Sequence, residues 1–383
     1  MDKRLFIDVH IVQTVPPANL NRDDQGNPKE AYFGGVRRAR VSSQAWKRAT
    51  RTAFAQHAPE HDHATRTKRI VAELAKRVSA RTGLEADHGA RLAAKLLEPL
   101  GIKEGKKAGD TAYLLFFGYR QLEDIVDLIA GQATDLAALD DEQLVAALKE
   151  LPVAQKLQSG HPMDVALFGR MVADIPSLNV DAATQVAHAL STHAVELEFD
   201  YYTAVDDENL KEETGAGMIG TIGFNSATLY RYATVGLHQL AANLGDTDAA
   251  LDAVEAFVQH FARSIPSGHQ NSFAHRTLPS LVAVVVRDDQ PVNLVSAYEK
   301  PVTKREDHEE GLAELSALSL ADEYERAVTQ WGDAPVHAAV CHTYASGSDT
   351  ATRLGAAFGE QQTFPELTAG LRGRLVELLK QSA

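Results

Sequence analysis

Two runs of β-branched and aliphatic residues bracket most of the chain, LFIDVHIVQTV at residues 5–15 and LVAVVVR ending at Arg287. The first places Leu5, Ile7, Val9 and Ile11 on one side at period two, the pattern of a sheet strand. VELEFDYYTAVDD at 195–207 and TLYRYATV at 228–235 have the same character. Ahead of these last two, from about residue 64 to 175, nearly every periodic segment is helical. Examples are Thr65 to Ser79, Gln121 to Ala130, and Glu142 to Leu151 behind the capping acids Asp140 and Asp141. Breaks such as GIKEGKKAGD mark loops within the block, which reads as one helical subdomain inserted into a sheet domain.

With the insertion set aside, and with helices from Gln44 to about His57 and from roughly Asp248 to Ser264, the order of elements is β, α, β, β, α, β. That is the ferredoxin-like split βαβ arrangement of RRM-type RNA binders, so the expected fold class is α+β. The expected organisation is a sheet domain begun over 1–58, a helical insertion over 59–180, and completion of the sheet domain over 181–383. A length of 383 residues suits two or three units. Between the strands at 195–207 and 228–235, Gly215, Gly217, Gly220 and Gly223 suit the flexible tip of a long hairpin spanning about 195–230. The segment from about Asn293 onward reads as helices joined by acidic loops.

Charge is concentrated in one place. Residues 36–51, VRRARVSSQAWKRATR, carry six basic side chains and no acidic one in a chain of net charge −14; without those six the remainder stands at −20. A polyanion is repelled by most of such a surface and drawn to one strip, which favours a phosphate-bearing partner on a defined track over general nucleic-acid affinity. Arg38 and Arg40 open the strip. Ser42 and Ser43 are good N-cap residues, and Gln44, Lys47, Arg48 and Arg51 share one face of the helix that follows, leaving Trp46, Ala49, Ala53 and Phe54 to pack inward. A helix start adds free N–H groups and a positive dipole end. The plainer reading is an ordinary solvated helix face. The preceding polar loop, PPANLNRDDQGNPKEAYFGG, is of a length that is usually functional or mobile.

Other constellations carry less. His57, His61 and His63 lie close together in an acid-rich linker without a cysteine and read as surface histidines rather than metal ligands. Asp23 with Asp24, and Asp206 with Asp207, have the chemistry of RNA-cleaving acids and bases, but paired loop acids more often form turns or caps. His188 and His193 read as packing or hydrogen-bonding residues. No GxxxxGK[ST], HExxH or GxSxG occurs, which removes the nucleotide-hydrolase, zincin and serine-hydrolase defaults. The single cysteine, Cys341, allows no internal disulfide and suits a reducing cytoplasm. Neither a signal peptide nor a membrane span is expected. No cofactor, metal or catalytic residue is expected either.

LNRDD (20–24), FGGVRRARVSSQ (33–44), WKRATR (46–51), ALFGRM (166–171), AHALSTH (187–193), YYTAVDD (201–207) and LYRYA (229–233) resemble, in order and approximate spacing, the CasC backbone subunits of type I-E CRISPR Cascade complexes, of the Cas-seven family. The resemblance implies a hand-shaped protein: an RRM-like palm, helical fingers from the insertion and a β-hairpin thumb. It implies several copies, typically six, polymerised along one CRISPR RNA guide beside other Cascade subunits, with target DNA met through the guide and no membrane. By the same resemblance Arg22, Lys29, Ser42, Gln44, Lys47 and Arg51 match guide-backbone contacts. Met171 and Tyr202 match positions packing on bases, tyrosine at 202 replacing an expected phenylalanine while keeping a stacking face. The loop SGHQN at 267–271 stands where the family has an RNA-contacting loop, which brings in Gly268 and Gln270.

Three readings follow. The first is a non-catalytic, cytoplasmic, guide-binding backbone subunit of an antiviral surveillance complex. The second is a backbone ribonuclease of type III kind, cutting target RNA with a loop aspartate. The third is a nucleic-acid-binding regulator outside CRISPR systems. Phosphate contacts that ignore sequence fit the first, because sequence recognition then falls to base pairing by the guide.

Overall fold

The computed structural model describes residues 4–56, 64–102, 107, 110–204, 218–304 and 309–381. Its strands are β1 (Phe6–Ala18), β2 (Glu30–Phe33), β3 (Val36–Val41), β4 (Ala64–Thr67), β5 (Leu115–Gly118), β6 (Thr184–Val186), β7 (Ala189–Ser191), β8 (Glu198–Ala204), β9 (Met218–Gly236), β10 (Leu281–Arg287) and β11 (His337–His342). The chain divides into two units, one of Met1–Ala53, Gln185–Val235 and Val254–Ala383, the other of Phe54–Thr184 and Gly236–Ala253. The second unit thus takes back a segment that a linear division leaves with the sheet domain. The class is α+β, as expected.

The first unit is built on a sheet of order β11-β10-β1-β9-β7-β3-β2, with β8 pairing on β9 outside that path. β1 lies inside the sheet and is buried on both faces, so the period-two pattern accounts for only half of it. Leu5, Ile7, Val9 and Ile11 are buried as expected, and so are Asp8 and His10 between them. Tyr230, Tyr232, Leu281, Ala283 and Val285 pack on the same core as Val12, against Leu320 and Tyr324 of the helix Leu312–Trp331. Arg231 points the other way and meets Trp46 of helix α1 (Ser43–Ala55) and Phe261 of the helix Thr247–Arg263.

Four elements differ from the sequence reading. The loop before the basic strip contains a hairpin, β2 with β3, turned at Gly34 and Gly35, both at positive φ. A Cβ on Gly34 would stand 1.6 Å from the Glu299 carbonyl oxygen, so only glycine fits there. The short β7, missed in the sequence, pairs with both β3 and β9. The strand at 195–207 starts later, as β8, and forms the expected hairpin with the first seven residues of the 19-residue β9, ahead of the segment 228–235. Gly220 and Gly223 accordingly lie inside a strand, while Gly215, Gly217, Asp206, Asp207 and the hairpin tip fall outside the described residues. β11 extends the sheet where only helices and loops were expected.

In the second unit Thr65 to Ser79 splits into β4, which pairs with β5, and a helix over Ile70–Thr82. Leu74, Leu92, Leu122, Ile125 and Leu144 fill its core. Asp140 caps the helix Asp141–Leu148, its carboxylate accepting from the Gln143 N–H at 2.9 Å. Among the described residues no helix is long and apolar enough to cross a membrane. His57, His61 and His63 lie outside the described residues, and the described ones hold no group of three potential ligands for a metal.

Beneath the sheet of the first unit, Asp8 accepts from Arg287 Nε (3.1 Å), Tyr232 Oη (2.9 Å) and the Val292 N–H (2.9 Å), and Arg287 also pairs with Asp333. His10 Nδ1 meets Tyr230 Oη at 2.9 Å, and its Nε2 is buried without a partner. Burial, and secondarily the charge of Arg287, lower the His10 pKa to about 3. The unfolded chain binds this proton from about pH 6.5 downward and the folded one does not, so stability present above pH 6.5 is lost as pH falls toward 3. Burial raises Asp8, which acts in the opposite sense. Unfolding free energies from urea titrations at pH 7 to 4 should therefore fall less steeply in His10→Gln than in the parent chain, by roughly 1 kcal/mol per pH unit.

Candidate nucleic-acid interface

Helix α1 presents its basic face outward because its other face is fixed. Trp46 and Thr50 are fully buried. The Arg231 guanidinium lies 3.8 Å from the Trp46 ring centroid and 4.6 Å from that of Phe261. Thr50 Oγ1 donates to the Trp46 carbonyl (3.0 Å) and meets Ser264 Oγ at 3.3 Å. Opposite this anchor Gln44 and Arg48 are exposed and Lys47 and Arg51 half-buried. The 13-residue helix carries three cations and no carboxylate of its own.

The corner in front of α1 is held by the loop between β1 and β2. Asn21 Oδ1 accepts the Ser42 N–H at 2.9 Å. Asp23 Oδ1 accepts the N–H groups of Gln25 and Asn27, each at 2.9 Å, so this acid closes a turn. Asn19 Nδ2 donates to the Gly26 and Gly223 carbonyls, both at 2.9 Å, tying the loop to β9. The Lys29 N–H bonds to the Asn21 carbonyl and the Arg40 N–H to the Lys29 carbonyl. Arg40 Nη1 lies 3.3 Å from His188 Nδ1, and burial first, then the charges of Arg40 and Lys29, keep His188 below the usual histidine range. Neutral His188 therefore accepts from Arg40. Asn21, Lys29, Arg40 and Asn225 line a small cleft, open to solvent, with Ala18 and Leu229 among its apolar walls.

Gln44, Lys47, Arg48 and Arg51 therefore share the face expected of them, with Lys29 and Arg40 at the corner ahead of the helix. Two expected contacts are corrected. Arg38 is fully buried, its guanidinium donating to the carbonyls of Phe33 (3.1 Å), Ser191 (3.0 Å) and Tyr298 (2.8 Å). Alternation along β3 points it into the protein, so it ties strands instead of meeting a ligand. Ser42 is also buried, its Oγ accepting the Ala45 N–H at 3.3 Å as the helix cap. Ser43 is the half-buried first residue of α1. Met171 stands exposed in the second unit. Tyr202 is exposed on β8.

The loop after helix Thr247–Arg263 is built more tightly than its composition suggests. A Cβ on Gly268 would lie 2.4 Å from the Leu20 and 2.5 Å from the Asn19 carbonyl oxygen, so this glycine lets the loop press on the two residues that follow β1. Gln270 is exposed and begins a four-residue helix ending at Phe273. His269 and Ala274, which flank that helix, both adopt the left-handed region, at φ 50° and 46°. His269 Nε2 lies 3.4 Å from Arg22 Nη1. His193, expected to be structural, accepts the Thr228 N–H at 3.0 Å. The sequence reading placed His269 only as part of the loop SGHQN and gave no role to Phe224 or Phe273; the signal for Phe273 was an aromatic residue in an otherwise polar loop. Because the atoms facing Gly268 are backbone, Gly268→Ala should destabilise the chain by about 1–3 kcal/mol and raise hydrogen exchange in residues 267–274.

Comparison with known proteins accords with this geometry. The family model described as CT1975-like protein matches residues 7–369. A chain of a solved complex described as "CRISPR RNA-guided surveillance complex, pre-nicking" is similar with a TM-score of 0.82 and 31% identity, over 96% of this chain and 99% of that one. A chain of a "CRISPR RNA-guided surveillance complex" is similar with a TM-score of 0.72 and 28% identity, over 96% of this chain and 99% of that one. No curated protein sequence matches. A family match spanning both units and the whole basic corner, joined to likeness along nearly the full length of both chains, places this protein in the CT1975-like family.

Proposed function

We propose that the chain is a non-catalytic backbone subunit that binds a CRISPR RNA in a surveillance complex of the type I-E kind. One observation carries the reading: a chain of an RNA-guided complex resembles this one over 96% of its length. The acid-free helix with Gln44, Lys47, Arg48 and Arg51 on one face fits it. Cations on a fixed helix hold phosphates whatever the bases, as interchangeable guides require. The neighbouring strands β10-β1-β9-β7 follow the order of a split βαβ sheet, which supports an RRM-like palm. In this reading the second unit supplies the fingers, and β8 with β9 the stem of a thumb. Copies of the chain follow one guide, other Cascade subunits complete the assembly, and target DNA is met through the guide.

The ribonuclease alternative rests on Asp23 or Asp24. Asp23 spends Oδ1 on two backbone N–H groups of its own turn, which favours the non-catalytic reading.

Lys47→Ala with Arg51→Ala should weaken binding of two unrelated guides alike, and each lost phosphate contact should reduce the salt slope by roughly 0.7. Filter binding across a salt series measures both; a loss confined to one guide overturns phosphate recognition. Protein assembled on its guide should leave labelled complementary RNA and DNA intact with or without divalent metal. Regularly spaced cuts abolished by Asp23→Ala or Asp24→Ala would establish the ribonuclease instead.

A further inference from the structure

Side chains directly opposite in an antiparallel ladder share a face. The register Tyr202↔Gly220, Asp200↔Ile222 and Glu198↔Phe224 therefore puts Tyr202, Ile222 and Phe224 on one face of the β8–β9 stem, together with the carboxylates Asp200 and Glu198 opposite the last two. At its outer end a Cβ on Gly220 would lie 2.3 Å from Tyr202 Cζ and Oη, so the tyrosine ring lies across the hairpin over the bare glycine. At its inner end Phe224 packs on Phe273, with ring centroids 5.9 Å apart. Phe273 in turn meets the edge of His269 at 6.4 Å and 79°. Arg22, exposed, contacts His269 at 3.4 Å.

A cluster serving only to anchor the loop would bury its rings. Phe224, His269 and Phe273 are each only half-buried, although Gly268 already fixes the loop through backbone contact. The ring positions also depend on two non-glycine residues in the left-handed region, a conformation that costs about 1 kcal/mol or more at each and is concentrated at ligand sites. Aromatic faces beside a cation, with no base-specific donor set, are the chemistry by which single-stranded nucleic acid is held irrespective of sequence.

We infer that Phe224, Phe273 and His269 form a stacking platform for a nucleobase of single-stranded RNA, with Arg22 placed for the adjoining phosphate. The inference rests on the RNA-binding reading above and adds to it a base contact in the first unit separate from Tyr202. Below its own pKa His269 becomes a cation beside Arg22; burial first, then Arg22, hold that pKa down, so the pair stays compatible at neutral pH.

The test uses the full chain with an oligoadenylate of about twelve nucleotides and the corresponding abasic ribose-phosphate strand, within the span of a typical single-strand site. Phe273→Leu keeps apolar packing but removes the stacking face. It should weaken oligoadenylate binding about five- to a hundredfold, the loss of one stacked base, and leave abasic-strand binding unchanged. Phe273→Trp, placed in a Trp331→Phe background because Trp331 is 87% exposed, should retain affinity, with indole fluorescence quenched by the oligoadenylate and not by the abasic strand. Equal binding of oligoadenylate by parent and Phe273→Leu, or unquenched indole fluorescence when the Phe273→Trp chain is bound to oligoadenylate, overturns the platform while leaving RNA binding standing. Failure of the parent chain to bind either strand overturns both.

Discussion

The guanidinium of Arg231 holds the first unit together where its function is to be performed. It projects from the middle of β9 between the rings of Trp46 and Phe261, and it donates to Gln13 Oε1 (2.7 Å) and to the carbonyls of Phe261 and Ala262. Those carbonyls end the helix Thr247–Arg263, where the dipole is negative, so a buried cation finds partial charges in place of a carboxylate. Burial lowers its pKa to about 9, which still leaves it charged at neutral pH. One side chain thereby fixes β9, β1, α1 and a second helix, and the rotation of α1 about its axis follows. The outward direction of Gln44, Lys47, Arg48 and Arg51 is a consequence of that anchor.

Arg231 is one of several arginines that act as carbonyl clamps. Arg38 gathers four carbonyls in the first unit, those of Phe33, Ser191, Tyr298 and Glu299, and Arg170 gathers three in the second, donating to Leu178 (2.6 Å), Leu157 (2.7 Å) and Phe116 (3.3 Å). A planar group with five donors in a fixed fork satisfies several otherwise orphaned acceptors spread over its rim, whereas lysine offers three donors from a single atom. Charge counting therefore overstates what a polyanion meets. Of the six cations in residues 36–51, Arg38 is internal and Arg37 is paired with Glu30 at 2.6 Å, while α1 carries three.

The 19 residues of β9 join two environments without a break. Its second half pairs with β7 inside the sheet, and its first seven residues pair with β8. A continuous strand transmits register, so the side chains of the stem keep a fixed relation to the sheet and to the loop at Phe273. Gly220 and Gly223 permit close approach within that strand, the first under the Tyr202 ring and the second beside Asn27.

Local pattern was enough for much of this. Alternation disclosed β1 and an unbroken apolar run β10, cap chemistry located the start of α1 at Ser42 and Ser43, and spacing put Gln44, Lys47, Arg48 and Arg51 on one face, because each depends on neighbours within a few residues. Strands of three to six residues, β2, β3, β7 and β11, escaped notice, since such short segments are strands only by virtue of the partner they pair with. The motifs that resemble a CRISPR backbone subunit were likewise legible, and the family followed. The sequence by itself determined the α+β class, the helical insertion and the basic helix. Only the tertiary structure decided that Arg38 and Ser42 are internal, that Gly220 and Gly268 are contact glycines, and that Arg22 meets His269 across 247 positions. Burial and contact between distant segments are properties of the packed chain, and no local window contains them.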